Sequence, residues 1–178
     1  MRYIPTAILL IGCTAAVAAA QTPSPVVQAR MVLATDGAHA GSPVKVGVVA
    51  QIASGYHIND HKPTLDYLIP TQLRLEPTKQ LEVGEVNYPK GRLEKLAFSD
   101  TPLSVYEGEI VVDAVLKIAA STSAGAYPLK GKLAYQACND HACLPPTSVP
   151  LAVTIKVVGR DVPVKRVNTD LFGKSGPI

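Results

Sequence analysis

The sequence has no tryptophan, only two phenylalanines, two methionines and three cysteines in 178 residues. Without Trp, the Cys…Trp…Cys core that marks antibody domains is excluded. Charged residues make up 17% of the chain and do not cluster. Between residues 21 and 158, twelve Lys and Arg are matched by twelve Asp and Glu. The formal surplus of +3 comes from Arg2 and from Arg160, Lys165, Arg166 and Lys174 set against Asp161 and Asp170. A neutral body excludes a dedicated nucleic-acid surface, which needs clustered cations to displace counterions from phosphates. The 13 Gly and 15 Pro show no Gly-X-Y period, so a collagen-like chain is excluded too. After residue 20 no run approaches 18 consecutive apolar residues, and no membrane span is expected there. What is present is 47% apolar residues, enough for one packed domain.

Residues 1–20 read as a signal peptide. Arg2 precedes an apolar run from Ala7 to Ala20, and Ala18-Ala19-Ala20 before Gln21 supplies the small side chains a signal peptidase accepts. The expected location is periplasmic or secreted. An alternative is lipoprotein anchoring through Cys13, since Leu10-Ile11-Gly12-Cys13 resembles a lipobox. The short stretch before Cys13 and the apolar residues after it favour soluble export. Cleavage after Ala20 removes Cys13 and leaves two cysteines, Cys138 and Cys143, in an oxidising compartment where a disulfide can persist.

The rest of the chain alternates with period 2 and carries no sustained 3.6 period. Val44, Val46, Val48, Ala50 and Ile52 share one face of 44–52. Leu151, Val153, Ile155 and Val157 share one face of 151–157, and Leu73 and Leu75 alternate with polar neighbours. Further strands are predicted over 26–34, 81–88, 105–118 and 127–137, separated by Gly and Pro punctuation. Seven or eight short, half-apolar strands predict an all-β fold, an immunoglobulin-like antiparallel β-sandwich over 21–158. The tail 159–178, with Pro163, Gly173 and Pro177, is expected to be flexible.

The richest segment is Tyr135-Gln136-Ala137-Cys138-Asn139-Asp140-His141-Ala142-Cys143-Leu144-Pro145-Pro146. Four intervening residues allow a disulfide if the chain turns. So small a ring stabilises by about 2 kcal/mol in the loop-entropy picture, against nearly 5 for a ring of a hundred residues. A disulfide in a polar turn is also easy for another thiolate to reach. From spacing alone, an inert hairpin disulfide in a non-catalytic binding or structural module is an equally open reading. A metal site could draw on Cys138, His141 and Cys143 with His57, His61 or His39. The spacing does not match zinc patterns, so no metal ligand is assigned. His57 and His61 lie four apart, but Gly55 and Pro63 suggest a loop rather than a zincin helix.

The run YQACNDHACLPP followed by VPLAV resembles the cysteine segment of the DsbD N-terminal domain family, the periplasmic module of a transmembrane thiol:disulfide interchange protein. Ser54-Gly55-Tyr56-His57-Ile58-Asn59 resembles that family's Gly-aromatic-aromatic strand. Tyr88-Pro89, Phe98 and Val105-Tyr106-Glu107-Gly108 resemble the segment that carries its cap loop. The resemblance spans roughly 26–158. It implies an electron-shuttling pair, with Cys143 forming mixed disulfides and Cys138 resolving them. It also implies Phe98 as cap and Tyr56 as a wall of the site, with an ordinary core aromatic as the alternative for Tyr56. His141, if protonated, would be able to stabilise a nearby thiolate; the alternative is an exposed turn histidine with no role. The implied partners are thioredoxin-fold proteins and a membrane-embedded reductase, with no cofactor. Here four residues rather than five separate the cysteines, and the cap region reads Leu96-Ala97-Phe98-Ser99-Asp100. Neither a membrane domain nor a thioredoxin-like domain is read in the 178 residues, so the expectation is a free-standing copy that receives electrons in trans.

Overall fold

The computed structural model describes residues 25–172. The expected signal segment 1–20, Cys13 and residues 173–178 lie outside them. In chain order the strands are β1 (Val27–Leu33), β2 (Ala38–His39), β3 (Pro43–Ile52), β4 (His57–Asn59), β5 (Gln72–Leu75) and β6 (Leu81–Asn87). Then come β7 (Arg92–Glu94), β8 (Leu103–Tyr106), β9 (Glu109–Ile118), β10 (Gly125–Tyr135), β11 (Ala137–Cys138) and β12 (Thr147–Val158). A short helix, α1 (Thr169–Phe172), ends the described chain.

Three four-stranded sheets result, in the orders β1-β3-β9-β6, β2-β12-β10-β5 and β11-β4-β8-β7. The first two form the immunoglobulin-like sandwich. Their inner faces are the alternating residues expected of half-buried strands: Val44, Val46, Val48, Ala50 and Ile52 on β3, and Ile110, Val112, Ala114, Leu116 and Ile118 on β9. Leu129 and Leu133 on β10, with Leu151, Ile155 and Val157 on β12, close the core from the other side.

The third sheet departs from the predicted pattern. The predicted strand 105–118 is broken at Gly108, whose φ of 64° turns the chain. β8 therefore joins the small sheet while β9 joins the large one. The predicted strand 127–137 likewise breaks at Gln136, and β11 leaves β10 to pair with β4. The segment at His57, a loop by its Gly and Pro neighbours but a strand by the family resemblance, forms the three-residue strand β4 between β11 and β8. A separate small core of Leu68, Leu96, Leu103 and Val105 lies beneath this sheet.

The tail is not frayed where it is described, contrary to the expectation. Asp36 and Lys165 exchange bonds, Asp36 N–H to Lys165 O at 3.0 Å and Lys165 N–H to Asp36 Oδ1 at 2.8 Å. Val167 N–H donates to Ala34 O, and Asn168 Nδ2 donates to Leu33 O. α1 then lays Phe172 on the outer face of β3 at Gly47, where a Cβ would sit 2.9 Å from the ring. Gly47 is the absence of a side chain that makes room for this contact. Proline and charge in 159–172 suggested a linker, but backbone pairing to the end of β1 holds the segment down.

Candidate functional site: a hairpin disulfide beside a buried histidine

Cys138 ends β11, and the next four residues turn back to Cys143. Asn139 N–H donates to Ala142 O at 3.0 Å and Leu144 N–H to Ala137 O at 2.8 Å. These bonds flank Cys138 and Cys143, making them a non-hydrogen-bonded antiparallel pair, the position where backbones approach most closely. Their Cα atoms are 3.9 Å apart and the sulfurs are bonded. The turn is built by Asn139, whose Oδ1 accepts the N–H groups of His141 and Ala142, each at 2.9 Å. Gln136 Nε2 donates to Leu144 O and clamps the base of the hairpin.

The two cysteines differ in access. Cys138 is 1% exposed, whereas Cys143 lies at the surface. On its other side Cys138 pairs in register with His57. Directly opposed residues of antiparallel strands point to the same face, with Cβ atoms about 4.5–5.5 Å apart. Cys143, Cys138 and His57 therefore form one row across three strand segments. His57 is 3% exposed, and its Nε2 is buried without a hydrogen-bond partner. Burial lowers its pKa, partly opposed by the charges of Glu107, Asp140 and Glu94.

Phe98 stands in the loop between β7 and β8. Its ring stacks on His57 with centroids 6.4 Å apart and planes 19° from parallel. The loop is anchored by the buried Leu96, by Lys95 Nζ donating to the carbonyls of Ser99 and Asp100, and by Ser99 N–H donating to Leu96 O. Phe98 itself stays 45% exposed. Tyr56 packs against the main core, and the residue that faces Cys138 is its neighbour His57. His141 is exposed at the hairpin tip.

Behind β4 lies a polar network. Asp60 accepts from Ser104 Oγ and from Tyr106 OH, both at 2.6 Å, and Tyr106 OH accepts from His61 N–H. Burial tends to raise the Asp60 pKa. Hydrogen bonds from Ser104, Tyr106 and the N–H groups of Lys62 and His61 outweigh it, holding the carboxyl below its ordinary value. Burial and the Asp60 carboxylate push the Tyr106 phenol up. His61 stacks on Tyr88 with centroids 3.7 Å apart, and His39 Nε2 bonds Val162 O. Two of the three histidines considered as a fourth metal ligand are thus engaged elsewhere. Among the described residues no group of three or more His, Cys, Asp and Glu converges to hold a metal ion.

An open apolar groove of about 700 Å³ runs beside the hairpin, lined by Val26, Val27, Tyr135, Leu144, Pro145 and Val149 among others. No described helix is long and apolar enough to cross a membrane.

The arrangement defines a class: an immunoglobulin-like sandwich that carries a disulfide in a surface hairpin, with one sulfur's residue open and the other's buried. Residues 22–154 match the family described as thiol:disulfide interchange protein DsbD, N-terminal, and the chain belongs to that family. Among solved structures, the DsbD N-terminal domain of Neisseria meningitidis in its reduced form shares 20% identity. That match covers 83% of this chain and 94% of the other, with a TM-score of 0.46. The N-terminal periplasmic domain of ScsB from Proteus mirabilis shares 18% identity over 79% of this chain and 52% of that one. Its TM-score of 0.54 shows the same fold. No curated protein matches the chain.

Proposed function

We propose that this domain carries electrons by thiol–disulfide exchange through Cys138 and Cys143 in the periplasm. The observation that carries the reading is the unequal burial of a disulfide closed by a four-residue turn. Only Cys143 is open to an incoming thiolate, and so small a ring does little for the fold. In the reducing half-reaction a donor thiolate attacks Cys143 Sγ, and the electron pair of the broken bond lands on Cys138 Sγ. The donor's second thiolate then releases Cys143, leaving two thiols here and a disulfide on the donor. In the second half-reaction the Cys143 thiolate attacks an acceptor disulfide, and Cys138 closes the ring to release the reduced acceptor. Family membership supports thioredoxin-fold proteins as acceptors and a membrane-embedded reductase acting in trans as donor. Phe98, stacked on His57 beside the buried Cys138, is the proposed cap: it narrows the approach to the pair and leaves Cys143 as the sulfur reached first.

Cysteine variants test the roles. Cys138→Ser is expected to accumulate mixed disulfides with a thioredoxin-fold partner, seen as shifted bands on non-reducing gels, and Cys143→Ser to form none. Equal trapping by both undoes the assignment. The reduction potential tests the whole reading. An exchangeable pair lies above about −300 mV. A pair that a reduced thioredoxin-like donor cannot open overturns the proposal and leaves an inert hairpin staple.

A further inference from the structure

We propose that His57 is the proton acceptor for Cys138, so that the buried cysteine closes on a mixed disulfide without needing its proton to escape to solvent. This rests on the exchange reading above. The geometry carries it: His57 is the register partner of Cys138 on β4, both side chains fall on one face, and the two residues are 3% and 1% exposed. In the oxidised protein the imidazole Nε2 is buried with nothing to bond. Buried polar atoms are nearly always satisfied, and an exception invites an explanation in terms of function. Opening the disulfide supplies the missing group, a thiol on Cys138. Phe98 stacks on the imidazole, so the loop that carries the proposed cap lies against the proposed base.

Continuing the β4–β8 register one step past Ile58 and Tyr106 sets Glu107 across from His57. The row thus reads thiol, imidazole, carboxylate. The charged groups acting on His57 are Glu107, from the end of β8, Asp140, from the cysteine hairpin, and Glu94, from β7. All three favour the imidazolium, while burial favours the neutral ring. The ring therefore rests neutral, ready to accept, and a proton received there meets Asp140 together with Glu94 and Glu107, which Arg92 also pairs at 2.8 and 3.7 Å.

The step balances as follows. With a partner disulfide-bonded to Cys143, the Cys138 thiol gives its proton to His57. Cys138 Sγ attacks Cys143 Sγ, the Cys143–partner bond breaks, and its electron pair leaves on the partner's sulfur. The pair here is oxidised by two electrons, the partner is reduced, and the proton on His57 passes on to the medium when the site opens. In the opposite direction the imidazolium returns the proton to Cys138 as it leaves.

The test uses the full, pre-reduced chain and the aromatic disulfide 5,5′-dithiobis(2-nitrobenzoate). The first coloured thiolate reports attack by Cys143 and the second reports ring closure by Cys138. For the wild type, the second phase is expected to be flat with pH above the imidazole's pKa and to fall below it. For His57→Phe and His57→Gln it is expected to slow by about 10²-fold near neutral pH, as loss of general-base catalysis gives. It should then rise about tenfold per pH unit, as thiolate-limited attack does. The first phase should be unchanged. Second phases at the wild-type rate in both variants overturn the inference, and so does a wild-type second phase with no plateau. If His57→Phe does not fold, His57→Gln and the wild-type profile decide. Failure of the exchange reading looks different: the reduced pair shows no first phase, or cannot be reduced.

Discussion

The large sandwich and the small sheet differ in what they bury. In the sandwich, long strands of up to twelve residues bury one apolar face, and side chains such as Val46, Val48, Leu129, Leu133 and Ile155 are fully enclosed. In the small sheet, strands of two to four residues bury a few apolar side chains, Ile58, Leu103 and Val105, and polar groups beside them: His57 and Asn59 on β4, with Thr71 and the Asp60 network behind them. Apolar burial is non-directional and sums to stability. Buried polar groups contribute little net stability but fix geometry, because each demands a particular partner. The sandwich therefore serves as the frame, and the small sheet sets the positions of Cys138, His57 and Phe98.

The widest contrast is expected from Leu133→Ala, which empties a fully buried site on β10. It should cost about 2–5 kcal/mol in denaturant unfolding, while the folded fraction keeps the thiol reaction rates of the wild type. Altered rates at Cys143 would mean that frame and site are not separable.

Asp60→Asn acts on the other side of the comparison. Loss of charge-assisted bonds from Ser104 and Tyr106 should cost about 1.5–3 kcal/mol. Because the folded pKa of Asp60 is lowered from 3.8, its contribution is present above that value and is lost as pH falls through the folded pKa. Stability measured from pH 5 downward should decline more steeply in the wild type than in Asp60→Asn. Parallel curves would show that the network is not what holds β4 and β8 together.

The smallest effect on stability, and the sharpest on the site, is expected from Phe98→Ala. The ring is 45% exposed, so unfolding should change by less than about 0.5 kcal/mol. Cys143 should react faster with a small thiol reagent. An unchanged rate would remove Phe98 as the cap.

The same division decides what could be read from the sequence. The inner faces of β3, β9 and β12 were legible because ten to twelve residues hold enough alternations to define a period. Two or three residues do not, so β2, β7 and β11 left no periodic signal, β4 was seen only through the family resemblance of Ser54–Asn59, and Gly108 split a run that looked continuous. The cysteine hairpin was legible from its residue types alone, and the family match agrees with the Tyr-Gln-x-Cys to Pro-Pro run that suggested it. His57 was weighed as a remote metal ligand in a loop and, through the family resemblance, as part of the Ser54–Asn59 strand, but not as a partner of Cys138. Its partner Cys138 is 81 residues away in sequence, and the pairing depends on β11 leaving β10, which no local pattern encodes. The closing tail was missed for a related reason: most of its anchors are backbone groups of Leu33, Ala34 and Asp36, which carry no sequence signature, and the two side chains that join them, Asp36 and Asn168, lie more than 130 residues apart.

β1 also has two ends with different neighbours. Val26 and Val27 border the groove beside Leu144, whereas Leu33 and the residues after it hold the closing segment. The strand separates them by about 20 Å at its usual rise per residue. A dye or a surface tether attached at Asp170 on α1 would therefore stand toward the far end of the sandwich and leave Cys143 open to collision. The same attachment at Pro25 would crowd the approach, which makes the carboxyl side the proper handle for single-molecule or electrode measurements on this domain.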